Sequence, residues 1–209
     1  MKNEIEKRKL IAVLTISDVA SAVPVAKAIF EGGVSVIELT LRTPEALDCI
    51  KVIRKEVPEM LVGAGTILSL ENVLQAKEAG AHFGVAPGTN PRVIKAAKDA
   101  GLFFGPGVFT PSDIEIALEN DCTLLKYFPA ASCGMNHLKA MSTPYKHLGV
   151  KFIPLGGVNL KNLSEMLSDS LIAAVGGSWL ATPELINAGK FDEIYANAKA
   201  AAQVIKECK

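Results

Sequence analysis

Short runs of apolar residues alternate with amphipathic stretches along the whole chain. The apolar runs predict eight strands, at residues 10–16, 36–41, 61–66, 83–86, 102–105, 124–128, 151–155 and 172–175. Most of these runs are uninterrupted, as expected for parallel strands that are buried on both faces. The stretches between them predict helices at residues 20–31, 44–56, 70–79, 91–100, 111–119, 136–141, 160–167 and 191–206. The pattern therefore predicts eight successive strand–helix units.

Signals at the helix ends agree with this organisation. Thr43-Pro44 and Thr110-Pro111 each place a capping hydroxyl before a proline at the first helical position, and glycines follow several predicted helix ends. Eight strand–helix units in about 200 residues favour a closed parallel barrel, the (β/α)8 or TIM fold, over an open doubly wound sheet. No stretch resembles a linker, so we expect a single α/β barrel domain over residues 1–209.

Composition and charge narrow the range of partners. Lysine plus arginine and aspartate plus glutamate both number 22, so no overall basic field attracts nucleic acid or an anionic membrane. The charged amino terminus lacks the apolar core of a secretory signal, and no apolar run reaches the ~18 residues of a membrane span. The four cysteines are scattered, without a C-x-x-C pair or a histidine at ligand spacing. We expect a cytoplasmic protein with reduced thiols, no metal, no cofactor and a small-molecule partner.

Three polar side chains are predicted to project into the interior of the barrel. Active sites of such barrels lie at the carboxyl ends of the strands, and strand side chains alternate between the interior and the helix layer. Residues 124, 126 and 128 share one face of their strand, and residues 36, 38, 40 and 42 share one face of theirs. If these faces point inward, Lys126, Glu38 and Arg42 enter the same apolar space.

A lysine in that position suggests carbonyl chemistry. An ammonium group removed from water either pairs with a carboxylate or loses its proton, and only the free amine attacks a ketone to form an imine. Glu38 can then act as a general acid and base, and the Arg42 guanidinium can grip a carboxylate with two parallel hydrogen bonds. The alternatives are a structural Lys126–Glu38 ion pair and an ordinary surface arginine.

Paired glycines after the last two predicted strands suggest an anion site. Gly156-Gly157 follows the seventh strand, and Gly176-Gly177-Ser178 follows the eighth. Barrels often bind phosphate at this place through backbone N–H groups, since glycine lets the backbone approach the anion, and the Ser178 hydroxyl can add a donor. Glycine is also an ordinary turn residue, and that alternative stays open for each pair taken alone.

Seven segments spread over nearly the whole chain carry a family resemblance. They are VIELTLRTPEAL (36–47), VGAGTIL (62–68), VAPGTNP (85–91), GPGVFTPSDI (105–114), LLKYFPA (124–130), IPLGGV (153–158) and VGGSWL (175–180). Through them the chain resembles the 2-keto-3-deoxy-6-phosphogluconate (KDPG) and 4-hydroxy-2-oxoglutarate (KHG) aldolases, class I enzymes of the Entner–Doudoroff type. The resemblance implies a homotrimer acting on a phosphorylated 2-keto acid.

The resemblance also implies a role for each matching position. Lys126 becomes the Schiff-base lysine, and Glu38 becomes the residue that transfers protons. The implied substrate-binding positions are Arg42 and Thr66 for the pyruvyl carboxylate, Pro87 and Phe128 for the pocket wall, and Gly156, Gly157, Gly177 and Ser178 for the distal phosphate. One position departs from the family: members read threonine where this chain has Leu155, which leaves the identity of the aldehyde half open.

The implied reaction is a metal-free retro-aldol cleavage. The substrate is 2-dehydro-3-deoxy-6-phosphogluconate, which gives pyruvate and glyceraldehyde 3-phosphate, and/or 4-hydroxy-2-oxoglutarate, which gives pyruvate and glyoxylate. Two other classes compete: a sugar-phosphate isomerase or epimerase, and a phosphate-binding barrel without catalysis. His82, His137 and His147 lie away from the carboxyl ends of the predicted strands, which argues against the first. A buried lysine without a function would cost stability, which argues against the second.

Overall fold

Parallel strands and α-helices alternate along residues 1–208, the part of the chain that the computed structural model describes. The strands are β1 (Leu10–Leu14), β2 (Val36–Thr40), β3 (Leu61–Gly65), β4 (Phe83–Val85), β5 (Phe103–Gly105), β6 (Gly107–Val108), β7 (Leu124–Tyr127), β8 (Lys151–Pro154) and β9 (Val175–Gly177). The α-helices are α1 (Lys2–Arg8), α2 (Val19–Glu31), α3 (Ala46–Glu56), α4 (Leu70–Glu78), α5 (Pro91–Asp99), α6 (Pro111–Glu119), α7 (Ala130–Ser142), α8 (Leu163–Leu167), α9 (Pro183–Asn187) and α10 (Phe191–Glu207). Lys209, the last residue of the predicted 1–209 domain, lies outside the described residues.

Each predicted strand and helix overlaps an observed one. The agreement is poorest at the last predicted strand, residues 172–175, because β9 begins only at Val175. The elements that the pattern did not predict are short: α1, β6, α9 and a 3-10 helix at Thr143–Leu148. Only Ile5 of α1 is buried, so this helix has almost no apolar stripe for a periodicity argument to detect.

The two predicted helix starts behave differently. At Thr110 the prediction is confirmed, since its hydroxyl accepts from the Asp113 backbone N–H and the Asp113 carboxylate accepts from the Thr110 N–H in a capping box. At Thr43 the prediction is wrong, because α3 begins at Ala46 and the Thr43 hydroxyl instead donates to the Ile16 carbonyl at 2.6 Å. That bond ties the loop after β2 to the loop after β1.

The strands do not form one closed ladder. The order β5-β4-β3-β2-β1-β9 makes a six-stranded parallel half-barrel, and β6-β7-β8 makes a separate three-stranded parallel sheet. Pro106 separates β5 from β6 and has no N–H to donate to a ladder. On the other side, β8 and the residue that follows it reach Ile172 and Gly176 only through isolated bridges. The prediction of a single closed (β/α)8 or TIM barrel is therefore wrong, and the chain is an α/β structure with two parallel sheets.

The two sheets face a common apolar interior. A cluster of buried side chains joins Ile11, Val36 and Phe83 of the half-barrel to Leu124 and Ile153 of the three-stranded sheet. A larger cluster outside the sheets packs the strands against the helices. Side chains that point inward near the carboxyl ends of β2 and β7 consequently meet at one end of this interior, although their strands belong to different sheets.

Candidate active site

Lys126 and Glu38 form an ion pair across the two sheets. Lys126 is on β7 and Glu38 is on β2, and the Nζ–Oε1 distance is 3.2 Å. Their side chains are 7% and 2% exposed, so the pair is almost removed from water. The Lys126 Nζ also lies 5.6 Å from the centre of the Phe128 ring. An amine this buried, with a carboxylate in hydrogen-bond reach, can exchange a proton with that carboxylate and attack a carbonyl as the free base.

Gly65 makes the space that the Glu38 carboxylate occupies. Gly65 pairs with Thr40 in the β2–β3 register, one pleat beyond Glu38. A Cβ atom built on Gly65 would lie 2.0 Å from Glu38 Oε1, much closer than any van der Waals contact allows. The absence of a side chain at residue 65 therefore lets the carboxylate bend over β3 while it stays bonded to Lys126.

Arg42 and Thr66 meet at the carboxyl ends of β2 and β3. The Arg42 Nε atom donates to the Thr66 hydroxyl at 3.2 Å. Within residues 1–208, the two Nη atoms of Arg42 make no hydrogen bond. Thr66 has a φ of 59°, in the left-handed region that a β-branched residue rarely adopts. Such a conformation costs on the order of 1–3 kcal/mol and persists where the surroundings enforce it. The pair leaves both Nη atoms of Arg42 available for a carboxylate.

A cavity of about 230 Å³ opens above the Lys126 amine. All but one of its lining residues lie in strands of the two sheets or within two residues of their carboxyl ends, the exception being Pro183 at the start of α9. The lining residues are Val13, Thr15, Arg42, Lys126, Phe128, Leu155, Gly156, Gly176, Gly177, Ser178 and Pro183. Six of the predicted site residues are in this lining. Glu38 and Thr66 contact two of them, Lys126 and Arg42, whereas Pro87 and Gly157 do not line the cavity.

The glycines at the far end of the cavity are required by their geometry. Gly156 and Gly157 have φ values of +90° and +79°, which only glycine adopts without strain. Gly177 lies against the Trp179 ring, where a Cβ atom would come within 1.8 Å of a ring carbon. The backbone is therefore bare at this end of the cavity, beside the Ser178 hydroxyl, as a site for an anionic group requires.

Comparison with known proteins relates this arrangement to one enzyme family. The family model described as "KDPG and KHG aldolase" matches residues 1–197. The 2-dehydro-3-deoxy-phosphogluconate aldolase of Treponema pallidum is 38% identical over 96% of this chain and 95% of its own length. The chain belongs to the KDPG and KHG aldolase family. The predictions of this family and of an aldolase, a carbon–carbon lyase, are confirmed.

Two solved structures of this aldolase family are similar to the chain over nearly their whole length. The KDPG aldolase of Legionella pneumophila, with pyruvate captured as a covalent carbinolamine intermediate, is 33% identical with a TM-score of 0.91, covering 96% of this chain and 98% of its own. The aldolase of Zymomonas mobilis with 3-phosphoglycerate is 36% identical with a TM-score of 0.88, covering 96% and 94%. These relatives bind a small keto acid and a phosphorylated three-carbon acid.

Five residues of the cavity lining were not among the predicted site residues: Val13, Thr15, Leu155, Gly176 and Pro183. Leu155 and Gly176 lie in segments that carry the family resemblance, whereas the other three do not. Thr15 follows β1 directly, at the carboxyl end where polar residues were sought on the other strands. Applying the same rule to the first strand would have found it. Val13 and Pro183 carry no polar group, and no sequence signal distinguishes them from core or loop residues.

The histidines of the chain lie outside the cavity. His82 Nδ1 accepts from the Val62 backbone N–H at 3.0 Å, and burial lowers the pKa of its imidazole. His137 Nδ1 is 3.0 Å from the Tyr127 hydroxyl, on the outer side of β7, and His147 is exposed. Their positions offer no acid–base pair for an isomerase in this cavity.

Burial makes two of the cysteine thiols unreactive. Burial raises the pKa of both the Cys49 and the Cys122 thiol to about 11, so these groups stay protonated at neutral pH. Within residues 1–208, no group of three or more histidine, cysteine or acidic side chains is arranged to hold a metal ion. In the same range, no helix combines the length and apolar character that a membrane crossing needs.

Proposed function

We propose that the chain is a class I aldolase in which Lys126 forms a Schiff base with a 2-keto acid. The substrates are 2-dehydro-3-deoxy-6-phosphogluconate, cleaved to pyruvate and glyceraldehyde 3-phosphate, and/or 4-hydroxy-2-oxoglutarate, cleaved to pyruvate and glyoxylate. The observation that carries this proposal is the buried Lys126–Glu38 pair, 3.2 Å apart, at the base of the cavity. The carbinolamine of the Legionella relative is the adduct that such a lysine forms with pyruvate.

Glu38 moves the protons of Schiff-base formation. It first takes a proton from the Lys126 ammonium, and the free amine attacks the C2 carbonyl carbon of the substrate. The resulting carbinolamine loses its hydroxyl group as water when Glu38 returns the proton. The product is a protonated imine at C2, which accepts electrons from the neighbouring bond. General acid–base assistance of this kind contributes ~10²–10⁴-fold in rate.

The same carboxylate completes the cleavage. Glu38, directly or through a water molecule, removes the proton of the C4 hydroxyl, and the C4–O electrons form the aldehyde carbonyl. The C3–C4 bonding pair moves into the imine and leaves an enamine on Lys126. Protonation of C3 and hydrolysis of the imine then release pyruvate and regenerate the amine. The sequence consists of addition, loss of water, carbon–carbon bond cleavage and proton transfers, with Lys126 as the nucleophile and Glu38 as the acid and base.

We assign the two ends of the substrate by the charge of the groups around them. Arg42 and Thr66 hold the pyruvyl carboxylate, since the free Nη atoms of Arg42 offer a bidentate contact. Gly156, Gly157, Gly177 and Ser178 hold the distal phosphate through the backbone and one hydroxyl. Phe128 lines the pyruvyl end of the cavity, and we assign Pro87 to the same end although it is not part of the cavity lining. Pyruvate and 3-phosphoglycerate in the two relatives carry these same two anionic groups.

The finer features implied by the family complete the proposal. We place the enzyme in the cytoplasm, in carbohydrate breakdown of the Entner–Doudoroff type, as one domain that assembles into a homotrimer. Three exposed leucines support an assembly surface: Leu68, Leu70 and Leu74 are 59%, 52% and 61% exposed at the start of α4. Apolar residues concentrated in this way on a surface are typical of a contact between proteins.

Pyruvate and borohydride test the central claim. Reduction of the imine fixes the pyruvyl group on its nitrogen, and peptide mapping identifies the residue that carries it. We expect the label on Lys126 and its loss in Lys126→Ala, together with loss of turnover. A label on another lysine, or activity that survives in Lys126→Ala, contradicts the proposal. Retro-aldol assays with the two named substrates then decide which of them this enzyme cleaves faster.

A further inference from the structure

The far half of the cavity has one polar side and one apolar side. The carboxyl end of β9 lies in the middle and contributes Gly176, Gly177 and Ser178. On one side β1 pairs with β9, and on the other side Leu155, the residue after β8, forms an isolated bridge with Gly176. Thr15 projects from the β1 side, and Leu155 projects from the β8 side. A substrate that reaches from Lys126 to the glycines shares the cavity with both of these side chains.

The Thr15 hydroxyl belongs to a pair with hydrogen-bonding capacity to spare. Thr15 Oγ1 lies 2.8 Å from Thr40 Oγ1, and Thr40 is buried while Thr15 reaches the cavity wall. Two hydroxyls joined by one hydrogen bond retain one hydrogen to donate and several lone pairs to accept. Since Thr40 is buried and Thr15 lines the cavity, the Thr15 oxygen can accept a hydrogen bond from a ligand whichever of the two threonines donates to the other. Thr40 thereby fixes the position of the Thr15 oxygen.

Leu155 cannot offer any such contact on the opposite side. Its side chain fills the space above Gly176, where a Cβ atom would lie 2.6 Å from Leu155 Cγ. The residue is 5% exposed and belongs to the apolar interior cluster. A hydroxyl group turned towards Leu155 would therefore lose its hydrogen bond to water and gain none.

We propose that Thr15 is a specificity-determining substrate-binding residue, which binds the C5 hydroxyl of a phosphorylated 2-keto-3-deoxy acid while Leu155 packs on the carbon chain. This inference rests on the proposed function, in which the C4 hydroxyl faces Glu38 and the C6 phosphate faces the glycines. The C5 hydroxyl is then the one polar group of the substrate without an assigned partner. Among the described residues, three of the polar side chains that line the cavity already have assigned roles: Arg42, Lys126 and Ser178. In that part of the chain, Thr15 is the one polar side chain of the lining that remains.

The test compares two substrates that differ by this hydroxyl alone. They are 2-dehydro-3-deoxy-6-phosphogluconate and its 5-deoxy analogue, and the readout is the ratio of their kcat/KM values. A net hydrogen bond of ordinary strength corresponds to a preference of about 3- to 10-fold for the hydroxylated substrate. We expect this preference in the unaltered enzyme, a ratio near one in Thr15→Val, and recovery in Thr15→Ser. Thr40→Val should lower the preference in part, since it frees the Thr15 hydroxyl to rotate.

Thr143→Val is the matched control, because it removes an exposed threonine hydroxyl that bonds to the Lys139 carbonyl far from the cavity. A preference that persists in Thr15→Val overturns the inference. So does an equal loss with both substrates, which is what a purely structural Thr15–Thr40 pair predicts. Borohydride trapping of pyruvate involves no aldehyde half, so a normal Lys126 label in Thr15→Val separates failure of this inference from failure of the proposed function.

Discussion

At the scale of single residues, the proposed chemistry depends on the Glu38 carboxylate, which has room beside Lys126 because residue 65 is a glycine. The ion pair therefore depends on three residues from three strands, although only two of them have functional groups. Each can be tested separately, since each has a different expected effect.

Glu38→Gln keeps the shape of the side chain and its hydrogen-bond acceptor but removes the base. We expect kcat for pyruvate formation to fall by ~10²–10⁴-fold, the usual contribution of a general acid–base group. Lys126 should still react with pyruvate, more slowly, because the amine itself is unchanged. Steady-state assays and borohydride trapping on the same preparation check both parts. A variant that retains full turnover would show that Glu38 is only the structural partner of Lys126.

Gly65→Ala should disturb Glu38 without touching it chemically. The added methyl group would lie 2.0 Å from the carboxylate oxygen, so the carboxylate must move away from Lys126. We expect kcat to fall at least tenfold, because proton transfer requires the hydrogen-bond distance that this shift abolishes. Gly88→Ala is the control, since a methyl group there has nothing within 4 Å. Equal activity of the two variants would contradict the role given to Gly65.

Sequence reasoning identifies site residues when their burial is unusual for their type. A lysine and a glutamate inside apolar strand runs stand out, because burying a charge without a partner is costly. Thr15 does not stand out, since threonine is common in and after strands. Gly65 is equally inconspicuous, because its role depends on where the Glu38 side chain turns. A pattern along one strand cannot reveal a contact that comes from its neighbour.

At the scale of elements, periodicity locates strands but does not decide how their ladders close. The apolar runs predict the parallel strands because a strand that is buried on both faces consists of consecutive apolar residues. Whether neighbouring strands are joined by hydrogen bonds depends on the backbone conformation of individual residues between and within them. Pro106 is such a residue: it ends the ladder of β5 and yet accepts from the Lys126 N–H at 2.9 Å. This one residue connects the half-barrel to the sheet that holds Lys126.

His82 connects β4 to β3 through a bond that depends on its protonation. Its Nδ1 accepts from the Val62 N–H, and burial holds the pKa of the imidazole below its ordinary value of 6.5. The unfolded chain then binds a proton more readily than the folded chain, so the free energy of unfolding decreases as the pH falls below about 6.5. We expect the thermal midpoint to drop between about pH 7.5 and 5.5, and to drop less in His82→Asn, which keeps an acceptor without a titrating group. Identical pH dependence of the two proteins would contradict this role of His82.

At the scale of the whole molecule, the surface of α4 differs from the other helix surfaces. Leu70 and Leu74 lie one helical turn apart, with Leu68 just before the helix, and all three are more than half exposed. An isolated exposed leucine needs no explanation, but three within seven residues form an apolar patch. The proposed homotrimer gives this patch a partner, namely the same chain. Leu68 lies two residues after Thr66, so assembly would also restrain the loop of a residue that we propose binds the substrate carboxylate.

Replacing both helical leucines with glutamate tests this assignment. Leu70→Glu combined with Leu74→Glu places two charges in the patch. The free energy of desolvating these charges would exceed the free energy gained by burying the patch in a subunit contact. We expect light scattering during size exclusion to change from the mass of three chains to that of one, while circular dichroism stays the same. Leu148→Glu alters a leucine of similar exposure, 46%, outside α4 and should remain trimeric. An unaltered protein that elutes as a monomer excludes the trimer, and a double variant that stays trimeric excludes α4 as its interface.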